Sequence, residues 1–256
     1  MSVAEAQSGR LRRMESHGLV WHVVEGEAVS LREWLDAWFP INPGSPARFL
    51  QAAANRFVAA AGGYVLKESG PRPGRSRLAY GLRPPGGRLI VTQARALLAR
   101  GIATHEPVAW AVRREWGLRV RDYVITREIG DSELLTHRLD RYRRDPVRRE
   151  ETLRVWGGVV AALHRNGFSD RDLKDANMVC SVAPPLRMWV TDLEGVRRFP
   201  FLPARLAEGD LAPVAHSLRS HGWLREAGDA EAFFGAYNAG VPARLKRTSF
   251  PPPGRA

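Results

Sequence analysis

The stretch Ser169 to Cys180, SDRDLKDANMVC, places Asp172, Lys174 and Asn177 close together on one loop, ahead of an apolar run. Asp192 follows fifteen residues after Asn177, in the run WVTDLEG. Between them, Met178–Val182 and Met188–Thr191 read as two strands joined across Ala183-Pro184-Pro185. Asn177 precedes the first strand and Asp192 follows the second. Paired strands lie about 5 Å apart, so the open end of this hairpin brings an amide oxygen and a carboxylate together. Hard oxygens of that kind suit Mg²⁺, which fills the rest of its shell with water and phosphate. Asp172 can face the same point as a base. Lys174 adds a cation able to neutralise a phosphoryl group in transfer, and Lys67, at the end of the strand Tyr64-Val65-Leu66, adds another. A carboxylate base, two metal ligands and two ammonium groups are the parts required for phosphoryl transfer from ATP, where positioning and charge neutralisation do most of the work.

Composition supports attention to the lysines. The chain has 256 residues and 39 basic ones, of which only Lys67, Lys174 and Lys246 are lysine. Two of the three fall at the proposed site, where a compact point charge is not replaceable by a guanidinium fork. The formal charge of +12 fits an anionic partner, although an arginine-rich composition alone does not choose among nucleic acid, membrane and phosphorylated substrate. The eight tryptophans are dispersed and form no base-stacking platform, so no nucleic-acid partner is expected. No apolar run is long enough for a transmembrane helix. The start, Met1 to Val20, is polar and lacks the pattern of a secretory signal. The lone Cys180 excludes an internal disulfide and reads as a core residue of an apolar strand; a cytoplasmic location is expected.

The positioning elements follow from periodicity. Arg56–Glu68 reads as a hairpin about Ala61-Gly62-Gly63, Leu89–Arg100 as a helix, and Val108–Val112 and Val120–Ile129 as strands. Pro146 opens a helix with Leu153, Trp156, Val159, Val160 and Leu163 on one face, ended by Gly167. Beyond Phe201 the pattern is helical to about Ala239. The first half is mainly sheet with one helix and the second mainly helix with one hairpin. His164 reads as a helix-terminal or packing residue. Arg138–Arg149 reads as a solvated charged face, with membrane or substrate contact as the alternative.

Asp170-Arg171-Asp172-Leu173-Lys174 through Asn177 resembles the protein-kinase catalytic loop H-R-D-L-K-x-x-N, with Asp170 in the histidine position. Asp192-Leu193-Glu194-Gly195 resembles the metal-binding D-F-G, Val65-Leu66-Lys67 the nucleotide-binding strand, and Glu128-Ile129-Gly130 falls where the adenine-contacting hinge stands. More closely, YVLKES, ALLARGIATHEPVAW, the catalytic loop, the aspartate strand and GDLAPVAHSL make the chain similar to the lipopolysaccharide kinase (Kdo/WaaP) family, over roughly Arg56 to Tyr237.

The resemblance implies an α+β, protein-kinase-like two-lobed fold: a small mainly-β N-lobe over 1–128, a short mainly-α C-lobe over 129–240, and a tail over 241–256 that is disordered at its end. It implies ATP with Mg²⁺ and transfer of the γ-phosphate to a sugar hydroxyl, Kdo or heptose, of a lipopolysaccharide inner core. Asp172 would act as base and Lys174 would assist it and the nucleotide. Lys67 and Glu128 would bind nucleotide, Asn177 and Asp192 metal, and Asp210 would brace the loop. Peripheral contact with the inner face of the cytoplasmic membrane belongs to the same expectation. Two departures stand out: no G-x-G-x-x-G precedes Lys67, and the helix over 89–100 carries no glutamate, Gln93 being the nearest polar candidate. Alternatives are a Ser/Thr protein kinase, disfavoured by the short C-lobe, an aminoglycoside-type small-molecule phosphotransferase, and a pseudokinase binding module.

Overall fold

The computed structural model describes residues 10–41, 45–53, 55–71, 73–74, 76–224 and 227–252. The first nine residues and the end of the tail, named above, lie outside that set. The chain divides into two compact units, one of residues up to 99 with 105–130, the other of 100–104 with the residues from 131 onward.

The first unit is built on seven antiparallel strands. They are β1 (Leu11–Ser16), β2 (Leu19–Val24), β3 (Arg48–Ala53), β4 (Arg56–Ala61), β5 (Tyr64–Ser69), β6 (Pro107–Glu115) and β7 (Leu118–Arg127), in the sheet order β1-β2-β6-β7-β5-β4-β3. Gly62 and Gly63, both at positive φ, make the tight β4–β5 turn that the sequence signals. Strand alternation sends Trp21, Val23, Leu66, Ala109 and Ile125 into one core. Helix α1 (Ala28–Trp38) covers that core with Leu31, Trp34 and Leu35, spaced for one helical face. Its Trp34 indole donates to Ala61 O at 2.8 Å, which ties the helix to the β4–β5 turn. A short α2 (Arg77–Leu82) and the expected α3 (Gly86–Leu98) complete the unit. Gly87 lets α3 press on Trp110 and the Tyr123 carbonyl, where a Cβ would sit 3.0 Å from each.

The second unit is mainly helical. Asp145 caps α5 (Pro146–Arg165) by accepting from Arg148 N at 3.0 Å, and Pro146 supplies the preset first turn. Leu153, Trp156, Val160 and Leu163 are fully buried. Helix α5 packs on α7 (Ala227–Gly240) through small residues: Gly157 lies under the Phe233 carbonyl, and Gly240 faces the Ala161 methyl. The remaining elements are β8 (Ser132–Leu134), α4 (Leu135–Arg141), β9 (Phe168–Asp170), β10 (Met178–Ser181), β11 (Met188–Val190), β12 (Val196–Arg198) and α6 (Ala204–Ser220). Strand β10 runs between β11 and β8, and β9 pairs with β12. After α7 the chain stays packed: Leu245 is buried and Phe250 lies 4.6 Å, centroid to centroid, from Phe234. No described helix is long and apolar enough to cross a membrane.

The basic stretch Arg138–Arg149 is not wholly a solvated face. Arg138 is buried, donating to Thr152 Oγ1 at 2.9 Å and pairing with Glu151. Arg149 is buried against Asp229 at 2.7 Å. Buried guanidinium groups need such partners, because an unpaired charge out of water is costly. Cys180 is fully buried, and burial pushes its thiol up to about 12, so it is inert core.

Candidate active site

The β10–β11 hairpin has the register the site requires. Met178 pairs with Val190, and Thr191 N donates to Asn177 O at 2.9 Å. Asn177 and Asp192 therefore leave the same end of the hairpin. Asp192 takes the left-handed backbone region, φ 56°, uncommon for a non-glycine residue and a mark of a locally constrained turn.

Hydrogen bonds gather the catalytic loop around Asp172. The Asn177 amide donates from Nδ2 to Asp172 O at 2.9 Å and to Asp172 Oδ2 at 2.8 Å. Lys174 Nζ lies 2.9 Å from Asp172 Oδ1 and 3.0 Å from Oδ2. Loop residues up to five positions apart are thus locked into one cluster, with Asp172 and Lys174 each retaining nearly half their side-chain exposure and so open to a reactant. Because Nδ2 is committed to Asp172, Oδ1 is the Asn177 atom left to act as a ligand. With the Asp192 carboxylate it offers hard oxygens of the type Mg²⁺ takes. Among the described residues no group of three His, Cys, Asp or Glu side chains could hold a metal alone. A donor set of this kind fits an ion that brings nucleotide phosphates and water as its remaining ligands.

Beneath the loop lies a buried acidic brace. Asp210 of α6 is fully buried and accepts from Ser169 Oγ at 2.9 Å and from Asp170 N at 3.1 Å. His164 Nε2 lies 3.3 Å from Asp210 Oδ2, and its Nδ1 is 2.8 Å from the Tyr237 hydroxyl. His164 is therefore a packing residue at the end of α5 that also links α6 and α7. Asp170, in the position where the family motif has histidine, is 1 % exposed. Its Oδ1 accepts from Asp172 N at 3.0 Å, which fixes the loop backbone at the candidate base. Burial pushes the Asp170 carboxyl up to about 7; the Asp172 N–H bond opposes this, while the charges of Asp210, Asp172 and Asp192 add to it.

A second network, absent from the sequence reading, holds the other side of the loop. Asp175 accepts from Thr136 Oγ1 at 2.5 Å and from Ser217 Oγ at 2.7 Å, and its own N–H donates to Ser217 Oγ at 3.1 Å. His221 bridges Asp175 Oδ2 at 3.1 Å and Asp140 Oδ1 at 2.7 Å. Burial raises the Asp175 pKa, but the hydrogen bonds from Thr136, Ser217 and His221 outweigh it and leave the carboxyl below its ordinary value. Asp175 lies inside the recognised motif, a usable signal. Its partners come from α4, α6 and the turn after α6, and no local pattern announces them. Arg171, by contrast, is exposed and forms no ion pair among the described residues.

Lys67 and Glu128 belong to the first unit. Lys67 sits in β5, opposite Val58 on β4 and Val124 on β7. The two residues linking β3 to β4 in the sequence, Ala54-Asn55, include no glycine. Glu128 follows β7. Its N–H donates to Gly63 O at 2.8 Å and its side chain pairs with Arg48. Neither α2 nor α3 contains a glutamate.

The model of the lipopolysaccharide kinase (Kdo/WaaP) family matches residues 72–237. That range contains the whole catalytic loop, Asp192, Asp210 and the Asp175 network, and begins after Lys67. Among solved structures the chain is similar to WaaP in complex with acyl carrier protein, at 20% identity and a TM-score of 0.60, with 86% of this chain and 88% of that one covered. It is also similar to the microcompartment-associated aminopropanol kinase, at 12% identity and a TM-score of 0.49, covering 85% and 83%. No curated protein matches the chain. With its protein-kinase-like fold and a match spanning well over half its length, the chain belongs to the lipopolysaccharide kinase (Kdo/WaaP) family and is a phosphotransferase of the ATP-using kinase type.

Proposed function

We propose that this protein transfers the γ-phosphate of ATP to a sugar hydroxyl, Kdo or heptose, of a lipopolysaccharide inner core. The reading rests above all on the Asp172–Lys174–Asn177 cluster at the start of β10, with Asp192 at the end of the partner strand. Magnesium nucleotide would supply the electrophilic phosphorus and a charge shell that loosens its bond to the leaving diphosphate. Asn177 Oδ1 and Asp192 are the residues to hold the ion. Asp172 is the residue to orient the acceptor hydroxyl and take its proton, with its carboxylate aimed by Asn177 Nδ2. Lys174, shared between both Asp172 oxygens, is the cation to offset charge on the transferred group. Lys67 and the Glu128–Gly130 segment are the candidates for nucleotide contact in the first unit. With the Glu128 N–H and side chain engaged, its carbonyl is the group left to meet an adenine. The site of action would be the cytoplasmic face of the membrane that carries the acceptor.

The test is magnesium-dependent phosphate transfer from ATP to dephosphorylated core oligosaccharide. Asp172→Ala should cost about 10²- to 10⁴-fold in kcat, the range for loss of a general base. Asp192→Ala should abolish the magnesium dependence together with turnover. Unchanged turnover in both variants would reject the site. Transfer to an aminoglycoside or a protein, but to no core sugar, would reject the acceptor. Lipopolysaccharide from cells lacking the chain should be lighter by one phosphate per molecule.

A further inference from the structure

The tip of the β6–β7 hairpin carries Trp116, which is 100% exposed, next to Gly117 in a turn where both residues have positive φ. A fully exposed tryptophan covers nothing in its own fold, and water solvates its ring poorly. The helix beside it repeats the pattern. Gly81 packs α2 directly on Leu118, with a Cβ there lying 3.1 Å from the Leu118 Cβ, and Arg119 donates to Tyr80 O at 2.7 Å. This anchoring leaves Leu78 and Leu82, one helical turn apart, 55% and 72% exposed. Arg113 and Arg114 precede the tryptophan and Arg83 follows the second leucine, all exposed. The acid at the tip, Glu115, is already paired with Arg113.

We propose that this edge of the first unit, Trp116 with Leu78 and Leu82, docks the protein on an anionic phospholipid bilayer. A tryptophan and two leucines match the headgroup–acyl boundary, where amphipathic rings and short apolar side chains are accommodated. The arginines beside them match the negative surface potential of anionic lipid. The chain's charge of +12 adds long-range attraction of the same sign. The partner is a lipid surface rather than a folded protein: the apolar elements are a turn tip and the outer face of a six-residue helix, which protrude and form no groove. The docking residues are none of those assigned to phosphotransfer, and docking calls for neither nucleotide nor acceptor.

The experiment is flotation of the full chain with vesicles of phosphatidylcholine alone and with a third phosphatidylglycerol added, at low and physiological salt. The wild type should float with the anionic vesicles and not with the neutral ones. Trp116→Ser should lower the bound fraction about tenfold, in line with loss of an interfacial anchor. Arg113→Glu with Arg114→Glu should do the same at low salt. Brominated lipid should quench part of the wild-type tryptophan emission and correspondingly less of the Trp116→Phe emission. Each variant should keep wild-type phosphorylation of a lipid-free core oligosaccharide, which separates a failure of docking from a failure of the kinase reading. Equal flotation of wild type and Trp116→Ser, or no flotation of the wild type, overturns the proposal.

Discussion

Asp170→Asn removes a charge from the most enclosed part of the catalytic loop. The carboxyl shifts from 3.8 to about 7, chiefly through burial, which corresponds to roughly 4 kcal/mol of folding free energy. The sign follows from which state holds the proton. Below about pH 4 folded and unfolded chains are both protonated at this group, and the term vanishes. As pH rises toward 7 the unfolded chain ionises first and folding loses ground; above 7 the whole penalty stands. Of this, roughly 2–3 kcal/mol falls between pH 5 and pH 8. Asparagine cannot ionise, and its Oδ1 can still accept from Asp172 N. Its amide nitrogen takes the place of Oδ2, a buried atom with no hydrogen-bond partner in the wild type, at a constant cost of about 1–3 kcal/mol. Urea unfolding followed by tryptophan fluorescence should show Asp170→Asn gaining roughly 2–3 kcal/mol on wild type between pH 5 and pH 8. Parallel stability profiles for the two proteins across that range would refute the reasoning.

Asp210→Ala strands Ser169 Oγ and the Asp170 N–H in a sealed interior and removes the carboxylate beside His164 Nε2. It should destabilise the chain by about 3–5 kcal/mol in chemical denaturation, and a loss under 1 kcal/mol would show that Asp210 is no brace. Gly157→Ala drives a methyl into the Phe233 carbonyl between α5 and α7; a loss of about 1–3 kcal/mol is expected, read as a lower thermal midpoint. Asp175→Asn should cost about 1–3 kcal/mol at pH 7. Its carboxyl lies below the ordinary value when folded, so the stabilisation is present above about pH 4 and fades as pH falls further. The gap between wild type and variant should therefore narrow in acid, by circular dichroism at 222 nm.

The grouping of the candidate site residues was legible in the sequence because it is local. Asp172, Lys174 and Asn177 share one loop, and a short hairpin with an obvious breaker returns the chain to Asp192, so strand pairing alone delivers the geometry. Helix α5 and the β4–β5 hairpin carried equally plain caps and turns. Harder to read was whatever depends on partners distant in the chain. Arg138 and Arg149 look like surface charge until Glu151 and Asp229 are seen beside them. The Asp175 network draws on residues about forty positions away on either side. Strands β8, β9 and β12, three residues each, are too short to show a period. The β1–β2 hairpin did carry a signal, alternation at Leu19, Trp21 and Val23, obscured by the arginines of β1.

That hairpin has a consequence for handling the protein. Strand β6 runs Pro-Val-Ala-Trp-Ala-Val before its charges begin, and β2 occupies one of its two hydrogen-bonding edges, with Trp21 opposite Ala111 and Val23 opposite Ala109. Outermost stands β1, with Arg12 and Arg13 exposed. A charged outer strand is a poor template for a second chain, whereas a bare apolar one invites intermolecular pairing. The hairpin thus works as a gatekeeper against aggregation, and trimming the chain back to Glu25 would trade a guarded sheet margin for a sticky one.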